Sequence, residues 1–205
     1  NRKKHHFYTL IEDSYFIDGI RKTIEKKQID LIVMGTKGAS GLEKIILGTN
    51  TANIVTKVKC NTLVIPENAK FITPKRITLP TDFSLSHNLQ IVQAISDILD
   101  RFKSTLSIIH ISKGKINLNK DQEQNKEFLE DYFSYYPHSF HYLTNKNVEV
   151  AIQDFVESNA THIVCMVAKS LNYFQQILFH SKVENISYHT DIPFLVLHEK
   201  NKNYG

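Results

Sequence analysis

Leu31-Ile32-Val33-Met34-Gly35-Thr36-Lys37-Gly38-Ala39-Ser40-Gly41-Leu42-Glu43-Lys44-Ile45-Ile46-Leu47-Gly48-Thr49-Asn50-Thr51 passes from a short apolar run, through a glycine-bearing segment, to the head of a helix. The run is apolar at every position, as in a strand covered on both faces. Asp30 to Met34 is therefore expected as a strand and Thr51 to Lys59 as a helix. Displacing the chain by 132 positions lays Leu31-Ile32-Val33-Met34 on Ile163-Val164-Cys165-Met166 and Ile45 on Ile177. The same displacement lays Asn53-Ile54 on Asn185-Ile186 and Leu63-Val64-Ile65 on Leu195-Val196-Leu197, with no gap. An ungapped self-match of this length marks an internal duplication.

Working outward, the second half has five short apolar runs: Arg76 to Pro80, Thr105 to His110, Phe140 to Leu143, His162 to Val167 and Phe194 to Leu197. Between them, Leu85 to Phe102, Asp121 to Tyr136 and Val148 to Ser158 carry apolar residues at three-to-four spacing, the mark of amphipathic helices. Alternating strands and helices favour right-handed crossovers and a parallel sheet. In the first half, Phe7 to Ile11 matches the Phe140 strand and Phe16 to Lys27 matches the Val148 helix. Nothing there matches Arg76 to Tyr136. The expected fold class is α/β, a five-stranded mostly parallel sheet with helices on both faces, duplicated with the first copy partial. Residues 1–68 are expected as the second half of one domain and 74–199 as a complete one, joined by the linker Pro66 to Pro74. Either the sequence is a fragment or the missing strands come from elsewhere. The last strands, Asn61 to Ile65 and Phe194 to Leu197, would leave edges unpaired. They are expected to pair with each other, and the partial copy to draw in a second chain, giving a homo-oligomer.

With 205 residues, 41% of them hydrophobic, the chain is long enough for one large domain or two small ones. A net charge of +4 with dispersed lysines gives no stripe for nucleic acid. Two distant cysteines, Cys60 and Cys165, form neither a zinc spacing nor a disulfide framework, which fits a reducing interior. No apolar run approaches the length of a membrane span, and a cytoplasmic protein is expected. The ten histidines lack a close cluster of carboxylates or cysteines, so no metal site is expected. Neither Ser40 nor Ser170 stands with an evident base, and Cys165 lies inside an apolar run, where an inert thiol is expected. No enzymatic role is indicated.

The glycine segment is the richest in chemistry. Gly35, Gly38 and Gly41 permit close backbone approach, and Gly48-Thr49-Asn50-Thr51 places amides, hydroxyls and a helix N-terminus where an anion would sit. Lys37 adds a mobile positive charge. The spacing is neither that of a Walker loop nor of a dinucleotide fingerprint. Two readings stay open: a phosphate site, or glycines that serve only turns and strand ends, with Leu42, Ile45 and Ile46 burying one face of a short connecting helix.

These residues resemble a known family. Gly35-x2-Gly38-x9-Gly48-Thr49, followed by Asn53-Ile54-Val55 and Cys60-Asn61-Thr62-Leu63-Val64-Ile65-Pro66, is similar to the carboxyl-terminal half of a universal stress protein domain. Lys75-Arg76-Ile77-Thr78-Leu79-Pro80-Thr81-Asp82-Phe83-Ser84 resembles the first strand and turn of a second such domain. The resemblance implies a Rossmann-like fold of the adenine nucleotide alpha hydrolase kind, paired in tandem through the last strands. It further implies ATP in members with the full glycine motif, with the aspartate after the first strand near the adenine and ribose. Carried over by position, Gly35, Lys37, Gly38, Gly48, Thr49 and Asn50 form the phosphate segment of the first copy, and Asp82 the adenine-side aspartate of the second.

In the second copy the 132-residue offset puts Val167, Ser170 and His180 where Gly35, Gly38 and Gly48 stand, and only Ser181 keeps the hydroxyl of Thr49. ATP is thus expected at the first copy only, and the second is expected to be degenerate. Asp82 equally suits a turn before a helix capped by Ser84. The resemblance implies a nucleotide-responsive stress or regulatory protein with an adenine nucleotide as partner. The alternative is an interaction or scaffold protein of the same fold that binds no nucleotide.

Overall fold

The computed structural model describes residues 5–36, 49–84, 88–168 and 191–199. Twelve elements follow one another: α1 (Phe16–Lys27), β1 (Leu31–Gly35), α2 (Thr49–Lys57), β2 (Asn61–Ile65), β3 (Arg76–Pro80), α3 (Leu89–Phe102), β4 (Thr105–Ser112), α4 (Lys120–Tyr132), β5 (His138–Thr144), α5 (Val148–Ser158), β6 (Ile163–Val167) and β7 (Phe194–Leu197).

The strands form one sheet in the order β1-β2-β7-β6-β3-β4-β5. Every neighbouring pair is parallel except β2 and β7, which are antiparallel. The fold is therefore α/β with a mixed, mostly parallel sheet. β3 to β7 form the parallel five-stranded block expected of the second copy, and β1 and β2 extend the sheet to seven. The cause is the Thr62↔Val196, Leu63↔Leu195 and Val64↔Phe194 register, which joins the two last strands edge to edge.

Helices cover both faces. Val148, Ala151, Ile152, Phe155 and Val156 of α5 pack with Val55 of α2 against Val64, Val164, Met166, Phe194 and Val196. On the opposite face Ile91, Val92, Ile95 and Leu99 of α3 and Leu129 of α4 cover Ile77, Leu79, Cys165, Val167, Leu195 and Leu197. A smaller cluster joins Ile17, Ile20 and Ile24 of α1 to Ile54, Val58 and Cys60, beneath Ile32 and Met34. Burying an Ile or Val side chain in this way contributes roughly 1.5–3 kcal/mol relative to exposure.

Asparagines set the starts of α3, α4 and α5. Asn88 Oδ1 accepts from the amides of Gln90 and Ile91, Asn119 forms a capping box with Gln122, and Asn147 accepts from the amide of Val150. The Asn88 cap starts α3 at Leu89 instead of Leu85, so Ser84 is not its N-cap. Helix ends share a second device. Gln28, Lys103 and Ala160 adopt left-handed backbone with φ of 52°, 51° and 45°. Each is followed by an amide that reaches five residues back: Ile29 to Ile24, Ser104 to Leu99 and Thr161 to Val156. These 6→1 bonds satisfy carbonyls that a helix C-terminus leaves open.

The 132-residue offset reappears in the registers. It carries Ile32↔Thr62, Val33↔Leu63, Met34↔Val64 and Gly35↔Ile65 onto Val164↔Phe194, Cys165↔Leu195, Met166↔Val196 and Val167↔Leu197. It also carries Phe16, the first residue of α1, onto Val148, the first of α5, and Gln28 onto Ala160.

One expected element is not formed. Phe7 to Ile11 is not a strand, and Phe7, Tyr8 and Ile11 are exposed. Its counterpart β5 pairs only with β4, and the first half has no equivalent of β4 among the described residues to supply hydrogen bonds.

Candidate functional site

The candidate site begins where β1 ends. Gly35 pairs with Ile65, and the amide of Thr36 donates to the Ile65 carbonyl at 3.1 Å. Thr51 is buried, and its Oγ1 donates to the Gly35 carbonyl at 2.8 Å. This bond ties the first turn of α2 to the carboxyl end of β1. Thr49 and Asn50 are exposed at that turn. A helix N-terminus presents unsatisfied amides and a partial positive charge, so the end of β1 and the start of α2 make a setting suited to an anion.

Helix α2 starts at Thr49, two residues before the expected start, which puts Thr49 and Asn50 in its first turn. Lys37, Gly38, Gly41 and Gly48, and with them the expected helix over Leu42 to Ile46, lie outside the described residues. Among the described residues an added Cβ at Gly35 would meet the Ile65 carbonyl at 3.9 Å, an ordinary contact, and Gly35 has no left-handed φ. The backbone at Gly35 therefore does not itself require glycine. The Thr51 hydroxyl was not singled out by sequence; its one signal is its place, third in the Thr49-Asn50-Thr51 run.

Asp82 follows β3. Its Oδ1 accepts from the amide of Ser84 at 2.9 Å and from Ser84 Oγ at 2.6 Å. Gln122 Nε2 donates to the Asp82 carbonyl and Asn125 Nδ2 to that of Phe83. Phe83 itself has a φ of 55°, and its buried ring stacks on His110 at 5.1 Å. Asp82 is thus a turn former in a loop fastened from α4.

Gly35 and Asp82 are not brought together. Four strand spacings separate β1 from β3, about 19 Å across the sheet. The antiparallel β2–β7 pair also reverses strand direction between the two halves, so the carboxyl end of β1 and that of β3 lie at opposite ends of the sheet.

Val167, at the position that matches Gly35, is buried in β6. Ser170, His180 and Ser181 lie outside the described residues. Cys60 and Cys165 are both buried, and burial pushes the Cys165 thiol up to about 12. Among the described residues no group of three or more His, Cys, Asp or Glu could hold a metal ion, and no helix is long and apolar enough to cross a membrane.

Residues 5–66 match the family model described as the universal stress protein family. A universal stress protein of Methanocaldococcus jannaschii is 46% identical over 46 residues, 22% of this chain and 27% of that protein. The fold aligns with a universal stress protein of Archaeoglobus fulgidus at a TM-score of 0.60 and 17% identity, covering 90% of this chain and 66% of that one. It aligns with a structure from Pseudomonas aeruginosa, provisionally assigned to the same proteins, at 0.55 and 15%, covering 87% and 66%. The chain thus spans just under two thirds of the two solved proteins, and its match to the curated relative covers about a quarter of that relative. Residues 5–66 carry the sequence pattern of the universal stress protein family, and the chain shares the fold of those solved proteins.

Proposed function

We propose that residues 1–68 are the second half of one universal stress protein domain, that 74–199 are a complete second one, and that the protein is a non-catalytic, nucleotide-responsive stress or regulatory protein. An adenine nucleotide, ATP in the first instance, binds at the first copy when that copy is complete. Gly35, Lys37, Gly38, Gly48, Thr49 and Asn50 cradle its phosphates. The observation that carries this reading is the Thr51 to Gly35 bond, which holds the N-terminus of α2 against the end of β1 with the glycine segment between them. The coincidence of strand registers at the 132-residue offset supports the duplication.

The test is calorimetric titration with ATP of the protein with its first copy complete, beside Gly48→Val. A branched side chain there crowds the phosphate path and restricts the turn. Equal affinity in both forms, with the fold unchanged, removes the phosphate role.

A second reading, an interaction or scaffold protein, is favoured by one observation: the Asp82 carboxylate is already held by Ser84 and lies at the other end of the sheet from Gly35. Absence of ATP binding to the completed protein would favour it.

A further inference from the structure

The middle of the seam between β2 and β7 does not tell one strand from the other. If β7 met β7 of a second chain in the same register, Leu195 would face Leu195 and Phe194 would face Val196, an apolar match throughout. β2 against β2 would likewise set Leu63 on Leu63 and Thr62 on Val64. Apolar strand edges invite such pairings unless something forbids them.

The two ends of the seam are unlike. At one end the buried His198 donates its backbone amide to Asn61 Oδ1 at 3.0 Å. At the other end the 132-residue offset puts Pro66 in the place of His198 and Pro193 in the place of Asn61. Pro66 has no amide hydrogen to give, and Pro193 has no side-chain oxygen to receive one. The mixed pair therefore makes the bond once and strands nothing where it is not made.

Like pairs fare worse at both ends. β7 with β7 would bring Pro193 to each place that Asn61 fills, so the His198 amide would lose its acceptor twice. β2 with β2 would bring Pro66 to each place that His198 fills, so the Asn61 oxygen would lose its donor twice. A buried amide deprived of its acceptor shifts a pairing equilibrium by roughly tenfold or more.

We propose that Asn61, His198, Pro66 and Pro193 act together as a strand-matching device, which admits β2 as the neighbour of β7 and turns away a second copy of either strand. Selection comes as much from what the wrong pair leaves unpaired as from the bond of the right one. The device needs only the registers and the offset, so it stands or falls apart from nucleotide binding.

The test uses the full chain with Leu195→Cys as a reporter of β7 meeting β7, because a cysteine facing its own copy across an antiparallel pair is within disulfide reach. Cys165 faces Leu195 across β6 and β7, so Cys165→Ala and Cys60→Ser remove the native thiols. Mild oxidation of this parent should link few chains. Pro193→Asn supplies β7 with its own acceptor and should raise the disulfide-linked dimer at least about tenfold, while Pro193→Ala should not. Asn61→Ala takes from the mixed seam its one bond and should raise linkage by a smaller factor. Equal linkage in the parent and Pro193→Asn, with cooperative melts retained, overturns the proposal, as does a rise in Pro193→Ala that equals the rise in Pro193→Asn. Linkage in Asn61→Ala no higher than in the parent overturns the part assigned to the Asn61 and His198 bond, whatever the proline variants do.

Discussion

Leu63 and Leu195 stand opposite each other in the antiparallel register that joins β2 to β7, and they are each other's counterpart at the 132-residue offset. The flanking pairs Thr62↔Val196 and Val64↔Phe194 exchange with one another under the same offset. A local twofold relation perpendicular to the sheet therefore passes through the two leucines. Leu195 is 6% exposed, Leu63 is half-buried, and both belong to the cluster under α3.

Truncating this pair should separate its members. Leu195→Ala is expected to cost about 3 kcal/mol and Leu63→Ala about 1 kcal/mol, because only the first leaves a closed cavity. Urea titration of both single variants and the double variant reads the coupling between them. Equal small losses would show that the seam contributes little to the fold.

Helix ends give the second prediction. Ala160 adopts a φ of 45° with a Cβ that gains nothing from it. Ala160→Gly should therefore stabilise the protein by roughly 0.5–1 kcal/mol, and Lys103→Gly by a similar amount. Thermal melts would register this as a rise in Tm; a fall would mean that the left-handed conformation is not retained in solution.

The third concerns Asp82. Because Ser84 already occupies its Oδ1, Asp82→Ala should leave ATP affinity unchanged while costing on the order of 1 kcal/mol of stability through the lost turn bonds. Titration of residues 74–199 with ATP at pH 7.5 and near pH 6 decides the matter. Micromolar binding at pH 7.5 that disappears in Asp82→Ala would overturn the view of the second copy as degenerate.

Acid sensitivity is the fourth. Burial, chiefly, holds His198 below its ordinary value near 6.5, with the Lys59 charge adding to it and the Val55 carbonyl opposing; burial and then the Arg76 charge do the same to His162. With folded values below the unfolded one, the unfolded chain binds more protons as pH drops. Stability is present above about pH 6.5 and is lost as pH falls through the folded values. Among the described residues His198 Nε2 is buried without a hydrogen-bond partner, so a proton gained there has only the Val55 carbonyl's contact with the ring to set against burial. Urea midpoints at pH 7.5 and 5.5 should differ in the wild type and differ less in His198→Asn.

Strand positions were legible in the sequence because fully covered strands read as unbroken apolar runs such as Ile163 to Val167, and because a shift of 132 positions lays one set of runs on the other without a gap. Phe7 to Ile11 misled for the same reason. Its apolar pattern specifies a strand, but strands need neighbours, and periodicity says nothing about whether a neighbour is present. The Asn88 cap displaced Ser84 because side-chain capping depends on where the chain turns after Phe83. At the candidate site, Gly35, Thr49 and Asn50 could be named from residue type alone, whereas the Thr51 bond is a contact across 16 positions that its place in the Thr49-Asn50-Thr51 run does not specify. That Gly35 and Asp82 fall at opposite ends of the sheet follows from one antiparallel pairing, which no motif encodes.

That pairing also sets an order of assembly. Within the second half, three of the four strand pairings join near neighbours in sequence: Ile77 meets Leu106, Leu106 meets His138, and Val164 meets Phe194; the fourth, Ile77 with Ile163, spans more of the chain but still less than the seam does. Leu63 must wait for Leu195, 132 positions later. Loop closure over that span is slower and entropically costlier than any of the nearer pairings. During synthesis, β2 will leave the ribosome long before its antiparallel neighbour exists, and the nascent chain will carry that apolar strand edge until nearly all of the second half has been made.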